Sequence, residues 1–243
     1  MITIKELYRI GYGPSSSHTM GPHFASEIFL QEHPDAKKIE VTLYGSLAAT
    51  GRGHLTDVAI LNTLEPHAEV EIVWQPKIFL PFHPNGMKFR AMDENGNTTD
   101  EWTVYSVGGG ALAEEGEPKH KPDDIYDMDH MSDILRWCRR TGYSYWEYVE
   151  KCEGKEIWDY LREVWQTMRE SVERGLDAEG VLPGPLNLAR KAATYHIKAT
   201  GYTGSLHSRG LVFAYALAVS EENAAGGKIV TAPTCGSCGV LPG

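Results

Sequence analysis

The sequence predicts an α+β domain, a mixed sheet with helices, followed by an all-helical domain that is incomplete within these residues. Three observations carry this. Runs of period two, rich in β-branched residues, fall within the first 110 residues. From about residue 130 the apolar residues recur at helical spacing. The last residues, AAGG followed by TAPTCGSCGVLPG, form a Gly/Pro-rich stretch with two cysteines, and a helical domain seldom finishes in such a stretch.

Each element follows from local pattern. Residues 1–11 are amphipathic and predict a short helix. The segment 11–22 is rich in Ser, Gly and Pro, and Pro22 suits the first turn of a helix over 22–32. KIEVTL (38–43) alternates and predicts a strand. Residues 45–53 are small and predict a loop, and 56–64 predict a short apolar helix. Strands are expected at 69–74, 87–92 and 101–107. The turn signals Pro84-Asn85-Gly86 and Glu94-Asn95-Gly96 bracket the second of them. Residues 114–129 are acidic, contain Pro118 and Pro122, and predict an exposed loop. Beyond it, helices are expected at about 153–174 and 206–222, with an extended piece at 228–231. The predicted division is 1–150 and 151–243.

Composition bounds the function. The chain has 243 residues, 42% of them apolar and 23% charged, enough for a packed core. Its net charge of −10 argues against a nucleic-acid partner and against anionic membranes. No stretch reaches the roughly 20 apolar residues of a membrane span, and the start is no signal peptide. A cytoplasmic enzyme acting on a small molecule fits. The four cysteines, Cys138, Cys152, Cys235 and Cys238, then sit in a reducing compartment, where disulfides are rare.

Five clusters can carry chemistry. In Gly13-Pro14-Ser15-Ser16-Ser17-His18-Thr19, hydroxyls precede a helix. Such a start can bind a substrate carboxylate, and the plainer alternative is helix capping. In Gly53-His54-Leu55-Thr56-Asp57 a histidine near a hydroxyl and a carboxylate can act as a general base. Otherwise His54 packs a helix start and Asp57 complements its dipole. His83-Pro84-Asn85-Gly86 is first a hairpin signal. Gly108-Gly109-Gly110 can cradle an anion but more simply ends a strand. Cys235-Gly236-Ser237-Cys238 has metal or redox spacing but lacks further ligands nearby.

Together the pieces resemble one family. GPSSSHT (13–19), LYGSLAATGRGHLTD (43–57), NGM (85–87), YSVGGG (105–110), VLPGPL (181–186), EENAAGG (221–227) and TAPT (231–234) are similar, in order, to the bacterial iron–sulfur L-serine dehydratases. The resemblance implies a β domain like the allosteric substrate-binding domain of some phosphoglycerate dehydrogenases. It implies a helical α domain that carries a [4Fe–4S] cluster, with ligating cysteines beyond the equivalent of Gly243. It implies that L-serine is converted to pyruvate and ammonia, with an open iron as Lewis acid. The base is then His54, with Asp57 or Thr56 nearby and His18 as the other catalytic histidine. Ser15, Ser16, Ser17 and Thr19 hold the substrate, with Asn85 in support. No metal ligand is expected within this chain, which is then inactive alone, and a homodimer is the expected assembly.

Two other classes compete. An amino-acid-binding regulatory module would bind without turnover. A pyridoxal-phosphate dehydratase would need a Schiff-base lysine, and no lysine of the N-terminal domain stands in such a setting.

Overall fold

The computed structural model describes residues 1–93, 96–116 and 124–243. The turn expected at Glu94-Asn95 and residues 117–123 of the acidic loop lie outside them. The strands are β1 (Ile10–Tyr12), β2 (Lys38–Tyr44), β3 (Glu69–Gln75), β4 (Gly86–Met92), β5 (Thr98–Gly108), β6 (Ala111–Ala113) and β7 (Lys228–Val230). The helices are α1 (Gly21–Glu32), α2 (Gly45–Thr50), α3 (Thr56–Leu64), α4 (Met131–Thr141), α5 (Tyr145–Glu153), α6 (Ile157–Asp177), α7 (Ala192–Thr200) and α8 (Gly204–Ala224). None of the described helices is long and apolar enough to cross a membrane.

The first half is α+β, as its pattern predicts. Five strands form one mixed sheet in the order β3-β2-β4-β5-β6. β2 and β3 are parallel, linked across α2 and α3, and the other neighbours are antiparallel. Alternation along the strands sorts the two faces. Ile39, Val41, Leu43, Met87, Phe89, Ala91, Trp102 and Val104 are buried with Ala25 and Phe29 of α1 and with Ile60 and Leu64 of α3. Lys38, Glu40, Arg90, Lys88 and Glu101 line the sheet as cross-strand ion pairs, including Arg90–Glu40 at 2.8 Å and Lys88–Glu101 at 3.2 Å. Solvent screens these pairs, so they set register more than they add stability.

The second half is helical except for β7. Helices α6 and α8 cross closely enough that a Cβ on Gly175 would stand 2.2 Å from the Ala218 carbonyl oxygen. Gly175→Ala is therefore expected to force the helices apart and cost about 1–3 kcal/mol, the usual range for overpacking. Urea unfolding checks this, and an unchanged midpoint would refute it.

Two expectations fail at the N-terminus and after β2. Residues 1–11 do not form a helix. Only Ile4–Glu6 makes a 3₁₀ turn, and β1 follows, pairing antiparallel with β7 from Ile10↔Val230 to Tyr12↔Lys228. The amphipathic pattern serves the second half instead, because Tyr8 and Ile10 pack on Val164, Met168 and Val230. Glu153 secures the same tail, accepting from Thr3 Oγ1, the Ile4 amide and Tyr126 OH, each at 2.7 Å. Residues 45–53 are not a loop. They form α2 and a 3₁₀ turn, Gly51–His54. Leu47, Ala48 and Ala49 are good helix formers, and Gly45 with φ +48° makes the bend out of β2.

Candidate functional site

The serine cluster is helical. Ser16–Met20 form one π-helical turn that runs directly into α1. Ser15 caps it, its Oγ accepting from the His18 amide at 3.1 Å, and the Ser15 amide donates to Thr19 Oγ1 at 3.2 Å. The second cluster follows α2, where Leu55 takes the left-handed conformation and α3 starts at Thr56.

These two segments are braced reciprocally. Thr19 Oγ1 donates to the His54 carbonyl at 2.6 Å, and Thr56 Oγ1 donates to the His18 carbonyl. The brace brings the imidazoles of His18 and His54 face to face, with centroids 4.8 Å apart and planes tilted by 39°. Thr56 is fully buried. Thr56→Val strips a donor from a partly buried carbonyl and is expected to cost about 1–3 kcal/mol and to loosen the ring contact. Differential scanning calorimetry with histidine NMR reads both, and an intact ring contact in this variant would refute the brace.

Hydrogen bonding assigns one tautomer. His54 Nδ1 lies 3.0 Å from the Thr50 carbonyl oxygen. A carbonyl can only accept, so Nδ1 carries the proton and the lone pair of the neutral ring is on Nε2. His18 is held by hydroxyls at both nitrogens, Nδ1 to Ser17 Oγ at 2.9 Å and Nε2 to Ser46 Oγ at 3.2 Å. Half-burial pushes the His18 pKa down, and the neighbouring His54 pushes it the same way, against a weaker opposing bond to the Ser46 backbone. The pair therefore resists holding two positive charges.

Not every predicted residue joins this pair. Ser15 and Ser17 do, with their hydroxyls 3.5 Å apart. Ser16 is buried. Asp57 sits in the first turn of α3, its Oδ1 accepting from the Val58 amide at 3.0 Å. The carbonyl of Thr50, not this carboxylate, fixes the His54 ring. Asn85 is tied to β5 instead, its Nδ2 donating to the Ser106 carbonyl at 3.1 Å while the Ser106 amide returns a bond to the Asn85 carbonyl at 3.0 Å. Ser46 and Thr50 were not among the residues the sequence suggested. The only sequence signal for them is their place in the small-residue run after β2. Gly108, Gly109 and Gly110 make the β5–β6 turn, where the Gly109 carbonyl accepts from Arg9 Nη1 at 2.7 Å.

A cavity of about 590 Å³ lies beside the pair, between α1 and α3. Thr19, bonded to the His54 carbonyl, lines it together with Leu55, His23, Asn62 and Thr63. The histidine pair, with its convergent polar groups, is the better candidate for chemistry than this mainly apolar space.

The cysteines make no such centre. Cys235 and Cys238 are buried, and burial pushes their thiols up to about 12 and about 11. Cys235 Sγ lies 3.3 Å from Met20 Sδ, and Cys138 and Cys152 are half-buried in α4 and α5. No cluster of three or more His, Cys, Asp or Glu residues is placed to hold a metal among the described residues. This chain's thiols thus do not fit a [4Fe–4S] ligand set. Their ionisation gives a pH prediction. Unfolded thiols ionise near 9.0, whereas the folded ones stay neutral to about 11–12. Stability should therefore fall as pH rises above 9, by up to about 1.4 kcal/mol per pH unit per thiol, and level above the folded pKa values. Urea unfolding at pH 8 and pH 10 measures it. The double variant Cys235→Ala, Cys238→Ala should show a shallower loss, and an equal one would refute the assignment.

Comparison with known proteins places the chain. Two overlapping stretches, residues 3–69 and 62–117, match the family described as Serine dehydratase beta chain. The L-serine dehydratase of Haemophilus influenzae is 35% identical, covering 100% of this chain and 65% of its own length. L-serine dehydratase 1 of Escherichia coli is 33% identical with the same coverage. The L-serine dehydratase of Streptomyces coelicolor is 34% identical over 99% of this chain and 64% of its own length. The chain thus spans a little under two thirds of the length of these relatives.

Proposed function

We propose that this chain, whose residues 3–117 match the family described as Serine dehydratase beta chain, supplies the substrate-gripping and proton-accepting side of an L-serine dehydratase. One observation carries the reading. His54 keeps its basic Nε2 available by donating Nδ1–H to the Thr50 carbonyl, in contact with a second imidazole and a helix start rich in hydroxyls.

His54 Nε2 takes the Cα proton of L-serine, because it carries the ring's free lone pair. The positive N-terminal end of the Ser16–Met20 turn and α1, with the Ser15, Ser17 and Thr19 hydroxyls, holds the carboxylate. His18, kept neutral beside His54, orients the substrate by hydrogen bonding. Thr56 acts through the brace, and Asn85 and Asp57 shape the flanking turns. The [4Fe–4S] cluster that the resemblance implies would supply the Lewis acid for departure of the hydroxyl.

The wider organisation follows the same reading. Residues 1–150 are proposed as the β domain, akin to the allosteric substrate-binding domain of phosphoglycerate dehydrogenases. Residues 151–243 are proposed as the first part of a helical α domain. A cytoplasmic homodimer is the proposed setting.

Histidine NMR during L-serine titration tests the site. L-serine is expected to shift the ring signals of His18 and His54, and D-serine to shift them less. No response to millimolar L-serine in the assembled enzyme would sink the reading. A response there without deuterium entering the Cα position would favour an amino-acid-binding module.

A further inference from the structure

We infer that Ser46 is a positioning residue for the histidine pair, holding His18 directly and His54 through the short helix in whose first turn it lies. This rests on the reading of the pair as the reacting site, and it adds a residue that the relatives' names do not assign.

The geometry runs along α2. At its start the Gly45 amide donates to the Ile78 carbonyl at 2.8 Å, and the Ser46 amide donates to the Pro84 carbonyl at 3.0 Å. Ser46 Oγ is then 3.2 Å from His18 Nε2. The Ser46 carbonyl accepts from Thr50 Oγ1 at 2.9 Å, and the Thr50 carbonyl accepts His54 Nδ1–H at 3.0 Å. One helix of six residues thus holds one imidazole at its first turn and the other at its last. The spacing of the two rings is set by the length of a single rigid element, which keeps catalytic geometry tighter than loops do.

The backbone leaves little room for this helix to slide. Gly45 has φ +48°, and a Cβ there would stand 2.6 Å from the Pro84 oxygen. The other His18 nitrogen is taken by Ser17 Oγ at 2.9 Å. The ring therefore sits between two hydroxyls, each able to donate or accept. It can take up or release a proton at either nitrogen without turning. Removing the Ser46 hydroxyl leaves Nε2 of a half-buried ring without this partner and frees the ring to rotate away from His54.

The test reads ring nitrogens, not turnover alone. Histidine is labelled with ¹⁵N in the wild-type chain, Ser46→Ala and Ser46→Thr. Signals are assigned by their loss in His18→Gln and His54→Gln. Ser46→Ala is expected to move the His18 nitrogen shifts and its titration midpoint, and Ser46→Thr to keep both near wild type. If Ser46→Ala does not fold, Ser46→Cys, with its weaker donor, should give a partial shift. Unchanged His18 nitrogens in the Ala or Cys variant, or an equal change in Thr, overturn the inference. In the assembled enzyme Ser46→Ala should lower kcat roughly two- to tenfold, the scale of one net hydrogen bond, with rescue by Thr. The two readings fail separately. If His54→Ala abstracts the Cα proton normally while Ser46→Ala still shifts His18, the reaction assignment falls and the positioning stands. If Ser46→Ala leaves His18 untouched while His54→Ala is inactive, only the role of Ser46 falls.

Discussion

Replacing His54 by Ala is expected to lower kcat by roughly 10²–10⁴ in the enzyme that contains this chain, the usual range for losing a general base. The Cα proton of serine is weakly acidic, and some side chain must receive it. His54 offers Nε2 because Nδ1 is committed to the Thr50 carbonyl. His18 sits between two hydroxyls and beside a second imidazole, with its pKa pushed down by burial first and by His54 second. His18→Ala should therefore raise KM more than it lowers kcat. Exchange of the Cα proton into solvent separates the roles. If the His54 variant exchanges that proton at the wild-type rate, His54 is not the base and His18 takes its place. One side effect is also expected. Removing His54 removes a charge that opposes protonation of His18, so the His18 midpoint should rise in that variant.

Phe89→Ala should cost about 3–5 kcal/mol of folding stability, the range for emptying a large aromatic site. Phe89 is fully buried in β4. Its ring contacts Phe29 at 5.2 Å and Trp102 at 5.8 Å between centroids, joining α1 to two strands. Such a loss is a large share of the roughly 5–15 kcal/mol that holds a domain together. Urea unfolding measures it, and Trp165→Ala provides the contrast. Trp165 is 56% exposed on α6, so its loss should change stability little. Equal losses in the two variants would contradict the packing described.

The parts of the fold visible in the sequence are those with a local cause. KIEVTL alternates because one face of β2 meets α1 and α3, and the apolar residues of 56–64 repeat because α3 covers the same core. β1 was hidden because three residues carry no periodicity of their own, and the partner strand lies far along the chain. α2 was hidden because its glycine and small residues also suit a loop. At the site, the two histidines and their hydroxyl neighbours were legible as residue types. The geometry between them was not. The Thr19 and Thr56 bonds cross between segments, and Asp57 spends its carboxylate on the Val58 amide of its own helix. The group that orients His54 is a main-chain carbonyl, and a carbonyl leaves no trace in side-chain identity.

The pairing of β1 with β7 has a consequence for the order in which the molecule is made. Arg9 emerges from the ribosome early, yet its amide finds Thr231 Oγ1 222 residues later. Gly13, at the mouth of the serine turn, donates to the Gly227 carbonyl. The five-stranded sheet can close as soon as residue 113 is available, since none of its strands lies beyond β6. The N-terminal strand must wait through the synthesis of all eight described helices, without its partner, until β7 arrives. A nascent chain stalled before residue 228 should therefore hold a formed sheet while residues 10–12 still lack their partner strand. Gly13 and Pro14, at the mouth of the serine turn, then wait for Gly227 and Asn223, while the turn itself is braced within the first 56 residues.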